Sequence, residues 1–331
     1  MNRRRVATLG ALAVAVSLGY WMTEAGPLDP PPGPVTSTGR FGPRTEINET
    51  NTPGSSSSLF RITQPGSYYL GGNITGVVGK HGIEIDADEV TLDLNGFALL
   101  GVAGSLNGVI AAEFPTTRTD LTIRNGSVAD WGGDGIYMEL GFNIQIEDVR
   151  VARNTGNGIF LEAGSGNTVT NCAAIYNGQS GIDAGISGTV NLCSALYNGQ
   201  DGIVVASAGA VTGCTVTQNS GDGIEVGSRC RIVDNHCVEN GQGAADGAGI
   251  HVVGNNNRIE SNNVSHNDRG IDVDGIDNIL VKNSASENDD GGVPSNYTFP
   301  LGVLNAVGEI VDVTSSITID DLDSAWANFE Y

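Results

Sequence analysis

The sequence predicts an all-β solenoid, in which short coils of strands stack on one another along a single axis. A Gly-Ile pair and a later asparagine both recur every 21 to 27 residues, and the pairs run from Gly135-Ile136 to Gly270-Ile271. Weaker copies of the pair precede them at Gly82-Ile83 and Gly108-Val109. A fixed period in this range indicates one supersecondary unit repeated against its neighbours. The 48 glycines of the 331-residue chain then supply tight turns at fixed steps.

The asparagines mark a register that predicts three strands in each coil. The positions three and eight residues before each asparagine are apolar throughout, and the Gly-Ile pair adds a third apolar column. Three inward-facing columns require three short strands, and each coil would bond to the next at about 4.8 Å. No stretch of the repeat has the spacing of an amphipathic helix. About nine such coils are predicted, and the asparagines are Asn154, Asn177, Asn198, Asn219, Asn240, Asn267 and Asn288.

A turn column five positions before these asparagines contains cysteines in three successive coils. It comprises Cys172, Cys193 and Cys214 and continues as Asn235, Asn262 and Asn283. Asparagine amides stacked in this way can bond along the column. The cysteines are expected to form an unpaired thiol ladder or a single bridge between adjacent coils, although a soft-metal site stays open. The chain has five cysteines, so within a monomer at least one thiol remains unpaired.

Both ends of a solenoid expose strand edges and therefore need covers. The segment from Leu59 to Gly76 is predicted to form an N-terminal hairpin cap of a solenoid that spans residues 59–292. After residue 292 the period is lost, and residues 293–331 are predicted to form a C-terminal β cap.

The N-terminal region has the pattern of a secretory signal. Residues 1–25 contain three consecutive arginines, an apolar run from Val6 to Leu18, and small residues at Thr23 and Ala25 before a cleavage point. The alternative is a retained membrane anchor. We expect a secreted or cell-surface protein with no membrane span once residues 1–25 are removed. Residues 26–58, which are rich in Pro, Gly and Ser, are predicted to be a linker.

The charge of the chain excludes some partners. The formal net charge is −22, which repels phosphate backbones, so nucleic acid is not an expected partner. Polyuronates would be repelled as well, unless cations bridge the two. The pattern leaves the oligomeric state open.

The repeat G-I-x-V, followed after a gap by N-x-V/I-x-N-x-A/V-x-x-N, resembles the right-handed parallel β-helix repeat of the pectate-lyase-like superfamily, over about residues 80–290. The chain is similar to secreted bacterial proteins described as β-helix repeat proteins. The resemblance implies that the Gly-Ile strands carry the substrate groove. The superfamily includes polysaccharide lyases, glycoside hydrolases, epimerases, tailspikes and noncatalytic surface proteins, so the resemblance leaves the activity open.

On that assignment, the residue after each Ile or Val of the pair faces outward, and some of these side chains suit a sugar polymer. Two aromatic side chains, Tyr137 and Phe160, would lie one above the other and contact sugar faces. A second aromatic stack, Tyr176 over Tyr197, is expected in the row before the asparagines. An acidic row surrounds one histidine and could hold a hard cation such as Ca²⁺; it comprises Asp183, Glu225, His251 and Asp272.

The sequence therefore predicts recognition of an extracellular polysaccharide along the Gly-Ile face and leaves open whether the protein also cleaves it, as a polysaccharide lyase or a glycoside hydrolase. A glycosidase needs two carboxyl groups about 5 to 9 Å apart, and Glu139 with Glu162 on neighbouring coils meets this spacing. The candidate catalytic residues are Glu139, Glu162, Glu225 and His251, and the candidate substrate-binding residues are Tyr137, Phe160, Asp183 and Asp272. The alternative is a noncatalytic cell-surface or adhesion scaffold, which short turns would favour.

Overall fold

The computed structural model describes residues 43–111, 116–161, 163–241, 247–300, 304–312 and 326–330. All of them belong to one compact unit, residues 41–331. The predicted signal peptide and most of the predicted linker lie outside the described residues. Within the described ranges the regular structure consists of β-strands alone, and almost all of them pair in parallel.

The Gly-Ile strands form a parallel sheet of eleven strands, here called the Gly-Ile sheet, with one strand in each coil. The structure thus has eleven coils where the sequence predicted about nine, because the first and last coils lack a Gly-Ile pair. The strands are Ser58–Ile62, His81–Ile85, Val109–Ala111, Ile136–Tyr137, Ile159–Phe160, Ile182–Asp183, Ile203–Ser207, Ile224–Ser228, Ala248–Val252, Arg269–Val273 and Tyr297–Thr298.

The other two strands of each coil join into one bent sheet of 22 strands. The first of these columns begins with Thr45–Glu46, which precedes the first Gly-Ile strand in the chain. Its other strands each follow a Gly-Ile strand and are Gly66–Tyr69, Val90–Asp93, Thr168–Thr170, Thr189–Asn191, Ala210–Thr212, Arg231–Val233, Arg258–Glu260, Ile279–Val281 and Ala306–Val307. The third strands are Ile74–Thr75, Ala98–Leu100, Ala173–Ile175, Ser194–Leu196, Thr215–Thr217, His236–Val238, Asn263–Ser265, Ser284–Ser286, Ile310–Asp312 and Asn328–Glu330. Two longer strands, Thr122–Ala129 and Gln145–Ala152, run through both positions.

Two short pairs complete the strands. A parallel pair joins Arg118–Thr119 to Gly141–Phe142, and an antiparallel pair joins Asp289–Asp290 to Val293–Pro294.

The core consists of apolar side chains that point inward from the three strand columns of each coil. The isoleucines of the Gly-Ile pairs are fully buried, as are the apolar residues three and eight positions before the ladder asparagines, Val151 and Val169 among them. The predicted inward columns are therefore confirmed.

Two ladders of buried asparagines hold the turns together. In the first, the side-chain Nδ2 of each ladder asparagine from Asn154 to Asn267 donates to the side-chain Oδ1 of the asparagine in the next coil, at 2.9 to 3.0 Å. The second runs from Asn235 through Asn262 and Asn283, as the turn column predicted. An unpaired buried amide costs about 1–3 kcal/mol, so each rung depends on its neighbours. The five cysteines are buried and free, so of the two expected arrangements the structure has the unpaired thiols and not a bridge between adjacent coils.

The structure corrects the expected N-terminal hairpin. The strands Ser58–Ile62 and Gly66–Tyr69 do not pair with each other; each pairs in parallel with the corresponding strand of the next coil. They form a first coil because Ile62 and Leu70 are fully buried at the end of the core. The linker prediction also extends too far, since strand Thr45–Glu46 pairs with Tyr68 and Tyr69.

The C-terminal segment closes the last coil. Its strands Tyr297–Thr298 and Ala306–Val307 continue two columns of the solenoid in parallel. Strand Asn328–Glu330 lies between Ser284–Ser286 and Ile310–Asp312. Asn283 donates to Asn328 at 3.1 Å, so the C-terminal strand extends the second asparagine ladder. Residues 301–303, 313–325 and 331 of the predicted C-terminal cap lie outside the described residues.

Candidate functional site

The outer face of the Gly-Ile sheet carries one side chain per coil in a continuous row, as predicted. Parallel pairing aligns these residues one above the other, because each Ile or Val of the repeat pairs with that of the next coil. In order, the row is Glu84, Ile110, Tyr137, Phe160, Asp183, Val204, Glu225, His251 and Asp272.

An aromatic platform lies in the middle of this row. The rings of Tyr137 and Phe160 stack with centroids 5.4 Å apart and planes 5° from parallel. The Tyr137 hydroxyl donates to Glu139 Oε2 at 3.2 Å, which fixes the edge of the platform. Glu162, the predicted catalytic partner of Glu139, lies outside the described residues, so their role as a pair stays a prediction.

His251 is held between two carboxylates. Its Nδ1 lies 2.8 Å from Asp222 Oδ2, and its Nε2 lies 3.2 Å from Asp274 Oδ2. The hydrogen bond to Asp222 raises the pKa of His251 from 6.5 to about 9, and the negative charges of Asp222 and Asp272 act in the same direction. The imidazole is therefore protonated at neutral pH and donates from both nitrogens.

Asp222 belongs to this candidate site, although the sequence pattern did not point to it. It precedes a Gly-Ile pair, where its Oδ1 accepts the backbone N–H of Ala248 at 2.6 Å. One coil earlier, Asp201 Oδ1 accepts the N–H of Asp222 in the same way, at 2.8 Å. One oxygen of Asp222 thus fixes the turn while the other binds His251. The repeated triplet Asp-Gly-Ile, which begins at Asp134, Asp201 and Asp222, is the signal that could have found it.

The other acids of this region share negative charge in partly buried positions. Burial raises the pKa of Glu225, and the charges of Asp201 and Asp222 raise it further. Burial also raises the pKa values of Asp201 and Asp272. Asp272 is buried and forms an ion pair with Arg269, so this predicted substrate-binding side chain is turned toward the protein. Asp183, in contrast, is half-buried on the outer row.

Two groups of side chains in this region could hold a metal ion. Asp222, Glu225 and His251 form one, and His251, Asp272 and Asp274 the other; within each, the ligand atoms lie within 4.8 Å of one another. A protonated imidazole cannot bind a cation, so an ion would have to displace that proton. Ca²⁺ prefers oxygen ligands, and the carboxylates of Asp222 and Glu225 are the donors it would use.

A model of the right-handed β-helix region matches residues 81–240 and 187–319 of the sequence. The chain belongs to the right-handed β-helix family. Among curated protein sequences, none matches it. The described residues include no helix with the length and hydropathy needed to cross a membrane.

Solved structures with the same fold include two epimerases and a tailspike. The A-module of the mannuronan C-5 epimerase AlgE4 from Azotobacter vinelandii is 17% identical and covers 77% of this chain and 75% of its own, with a TM-score of 0.50. A mutant of the periplasmic alginate epimerase AlgG is 15% identical over 80% of this chain and 67% of its own, at 0.52. The Dettilon tailspike protein is 15% identical over 76% of this chain and 59% of its own, at 0.51. At these identities the likeness shows the shared β-helix fold.

Proposed function

We propose that this β-helix protein is secreted, binds a polysaccharide along the outer face of the Gly-Ile sheet, and hydrolyses it beside His251. The observation that carries the proposal is the cluster of Asp222, Glu225 and His251, in which a protonated imidazole lies among partly buried carboxyl groups. Perturbed groups of this kind on an exposed strand face are typical of catalytic sites.

Binding is assigned to the row of outward side chains. Successive coils place side chains at intervals of about 4.8 Å along a straight line, which suits the repeat of a linear sugar polymer. The stacked rings of Tyr137 and Phe160 present a flat apolar surface to the face of a sugar ring. The solved relatives include proteins named for their action on mannuronan and alginate, which supports a polysaccharide as the partner.

Hydrolysis is assigned to Glu225 as the general acid and Asp183 as the general base. The raised pKa of Glu225 keeps its proton available for the glycosidic oxygen. Asp183 lies two coils away on the same row, a separation of about 9.6 Å from the strand spacing, with Val204 between them. This separation is about the upper limit of the range, roughly 6.5–9.5 Å between carboxyl groups, that leaves room for a water molecule and inverts the anomeric configuration. Glu225 protonates the leaving oxygen, the glycosidic bond breaks, and the water gives its proton to Asp183 as it attacks.

A lyase reaction fits the site less well. It begins when a base removes a proton from a sugar carbon, whereas His251 is already protonated at neutral pH because its pKa is about 9. The acidic face also repels uronate polymers unless cations such as Ca²⁺ bridge them. The substrate is therefore proposed to be a neutral polysaccharide.

The second candidate function is a noncatalytic surface or adhesion scaffold. The observation that favours it is the shortness of the described turns; Asn171 and Cys172, for example, alone separate two strands of one coil. Residues 242–246, which precede the strand Ala248–Val252, lie outside the described residues.

The test is to incubate the purified protein with neutral and acidic polysaccharides, with and without Ca²⁺, and to count new reducing ends. The expected result is release from a neutral polymer, independent of Ca²⁺, with inversion of the anomeric centre. Release only from a uronate polymer, and only in the presence of Ca²⁺, would contradict the proposal of a neutral substrate. It would indicate instead that Ca²⁺ bridges the acidic face and an acidic polymer. Absence of release from a folded sample that still binds the polymer would contradict the catalytic role.

A further inference from the structure

A second groove lies on the turns that lead from the third strand of each coil to the next Gly-Ile strand. It has a volume of about 790 Å³ and extends from Tyr197 past Gln218, Glu239 and His266 to Glu287. These residues occupy one position in five successive coils, directly before the ladder asparagines. None of them belongs to the outer row of the Gly-Ile sheet, so the groove is separate from the site described above.

The backbone directs this column of side chains outward. Every residue of the column has a left-handed conformation, with φ of 57° at Tyr176, 56° at Tyr197 and 51° at Glu287. A side chain rarely adopts this conformation without support, and here the buried asparagine that follows each residue holds the turn. The asparagine ladder therefore sets the spacing of the groove, with one side chain about every 4.8 Å.

An exposed aromatic stack lies at one end of the groove. The rings of Tyr176 and Tyr197 have centroids 4.7 Å apart and planes 11° from parallel, and the two residues are 55% and 42% exposed. A stack that served only to pack the sheet would gain more by being buried. The two rings are exposed and lie in line with the groove. They therefore form a flat apolar surface against which the face of a sugar ring can pack.

The rest of the groove is acidic. Four carboxylates line it, at Glu239, Asp268, Glu287 and Asp289. His266 is the one basic residue among the lining side chains, and its Nε2 lies 2.6 Å from Glu287 Oε2. This excess of negative charge repels a uronate chain and attracts ammonium groups.

We propose that this groove binds a saccharide chain with free amino groups. Its sugar rings lie on Tyr176 and Tyr197, and its ammonium groups pair with Glu239 and Glu287 on the following coils. The carboxylates recognise the charge, and the rings recognise the sugar face. This site does not depend on hydrolysis at Glu225 or on binding at Tyr137 and Phe160.

The test is isothermal titration of the whole protein with a glucosamine oligomer, its N-acetylated counterpart and a galacturonate oligomer. The glucosamine oligomer is expected to bind at least about ten-fold more tightly than the acetylated one, since one well-placed charge pair contributes on the order of 1.4 kcal/mol. The galacturonate oligomer is expected not to bind. Equal affinity for the two glucosamine-based oligomers would overturn the assignment to amino groups.

Variants separate the groove from general attraction to an acidic protein. Tyr197→Ala is expected to weaken glucosamine-oligomer binding about ten-fold and Glu239→Gln about five-fold. Asp277→Asn removes one exposed negative charge from another turn, where its left-handed φ of 60° suits asparagine, and is expected to leave binding unchanged. Equal losses in Glu239→Gln and Asp277→Asn, or no loss in Tyr197→Ala, would overturn the proposal.

Discussion

The two ends of the Gly-Ile sheet share one backbone register and differ in how their acids are neutralised. At the N-terminal end, Arg61 lies 3.1 Å from Glu84 and 2.5 Å from Asp86, and Arg118 also pairs with Asp86. At the C-terminal end, the acids Asp222 and Glu225 lie within reach of one histidine. Arginine is always charged, whereas histidine carries a charge only when it holds a proton.

This difference shows why one end is structural and the other a candidate active site. Permanent cations neutralise the N-terminal acids, and the result is a network of ion pairs between coils. At the C-terminal end the cluster holds protons instead, as the raised pKa values of His251 and Glu225 indicate. Proton transfer needs groups that can exchange a proton near the working pH. The comparison therefore favours the C-terminal end as the place of the proposed proton transfer.

The largest expected effect is that of Glu225→Gln on hydrolysis. Without a proton donor at this position, the rate of release of reducing ends should fall about 10²- to 10⁴-fold. The matched control is Glu84→Gln, which changes the same outer row at the arginine-paired end and should leave the rate within about two-fold of the unmodified protein. Equal losses in the two variants would remove the distinction between the two ends.

The next effect is a dependence of stability on pH that originates at His251. Its pKa is about 9 in the folded protein and 6.5 when exposed, so the folded state holds the extra proton more tightly. The stabilisation is complete below pH 6.5 and is lost as the pH rises through 9, and it amounts to at most about 3 kcal/mol. Urea unfolding at pH 6.5, 7.5 and 9 measures it. In His251→Gln, the free energy of unfolding should differ less between these pH values. An unchanged difference would show that the pH dependence of stability does not originate at His251.

The smallest expected effect comes from placing a permanent cation directly beside Asp183 and Glu225. Val204 lies on the outer row between Asp183 and Glu225, so Val204→Arg would place a guanidinium beside both. An opposite charge at this distance should lower the pKa of Glu225 and move the alkaline limb of the pH–rate profile to lower pH. Val204→Gln is the uncharged control of similar length. The same shift in both variants would show that size, rather than charge, is responsible.

The sequence predicted the periodic parts of the molecule because a repeated position has the same environment in every coil. The inward columns, the outer row and both aromatic stacks followed from counting residues. The first and last coils could not be predicted in this way, because Phe60 and Tyr297 occupy the position that an isoleucine or a valine holds in the repeat. Asp222 was missed for a different reason. It lies in a turn, where the direction of a side chain depends on the local backbone rather than on strand alternation.

The most direct test of the account is an NMR titration of the His251 imidazole, assigned by the signal that disappears in His251→Gln. The account predicts a pKa of about 9, set by the hydrogen bond to Asp222. In Asp222→Asn the titration should move toward 6.5. A pKa near 6.5 in the unmodified protein would contradict the account, because the carboxylates of the C-terminal end would then not hold the proton on which its chemistry depends.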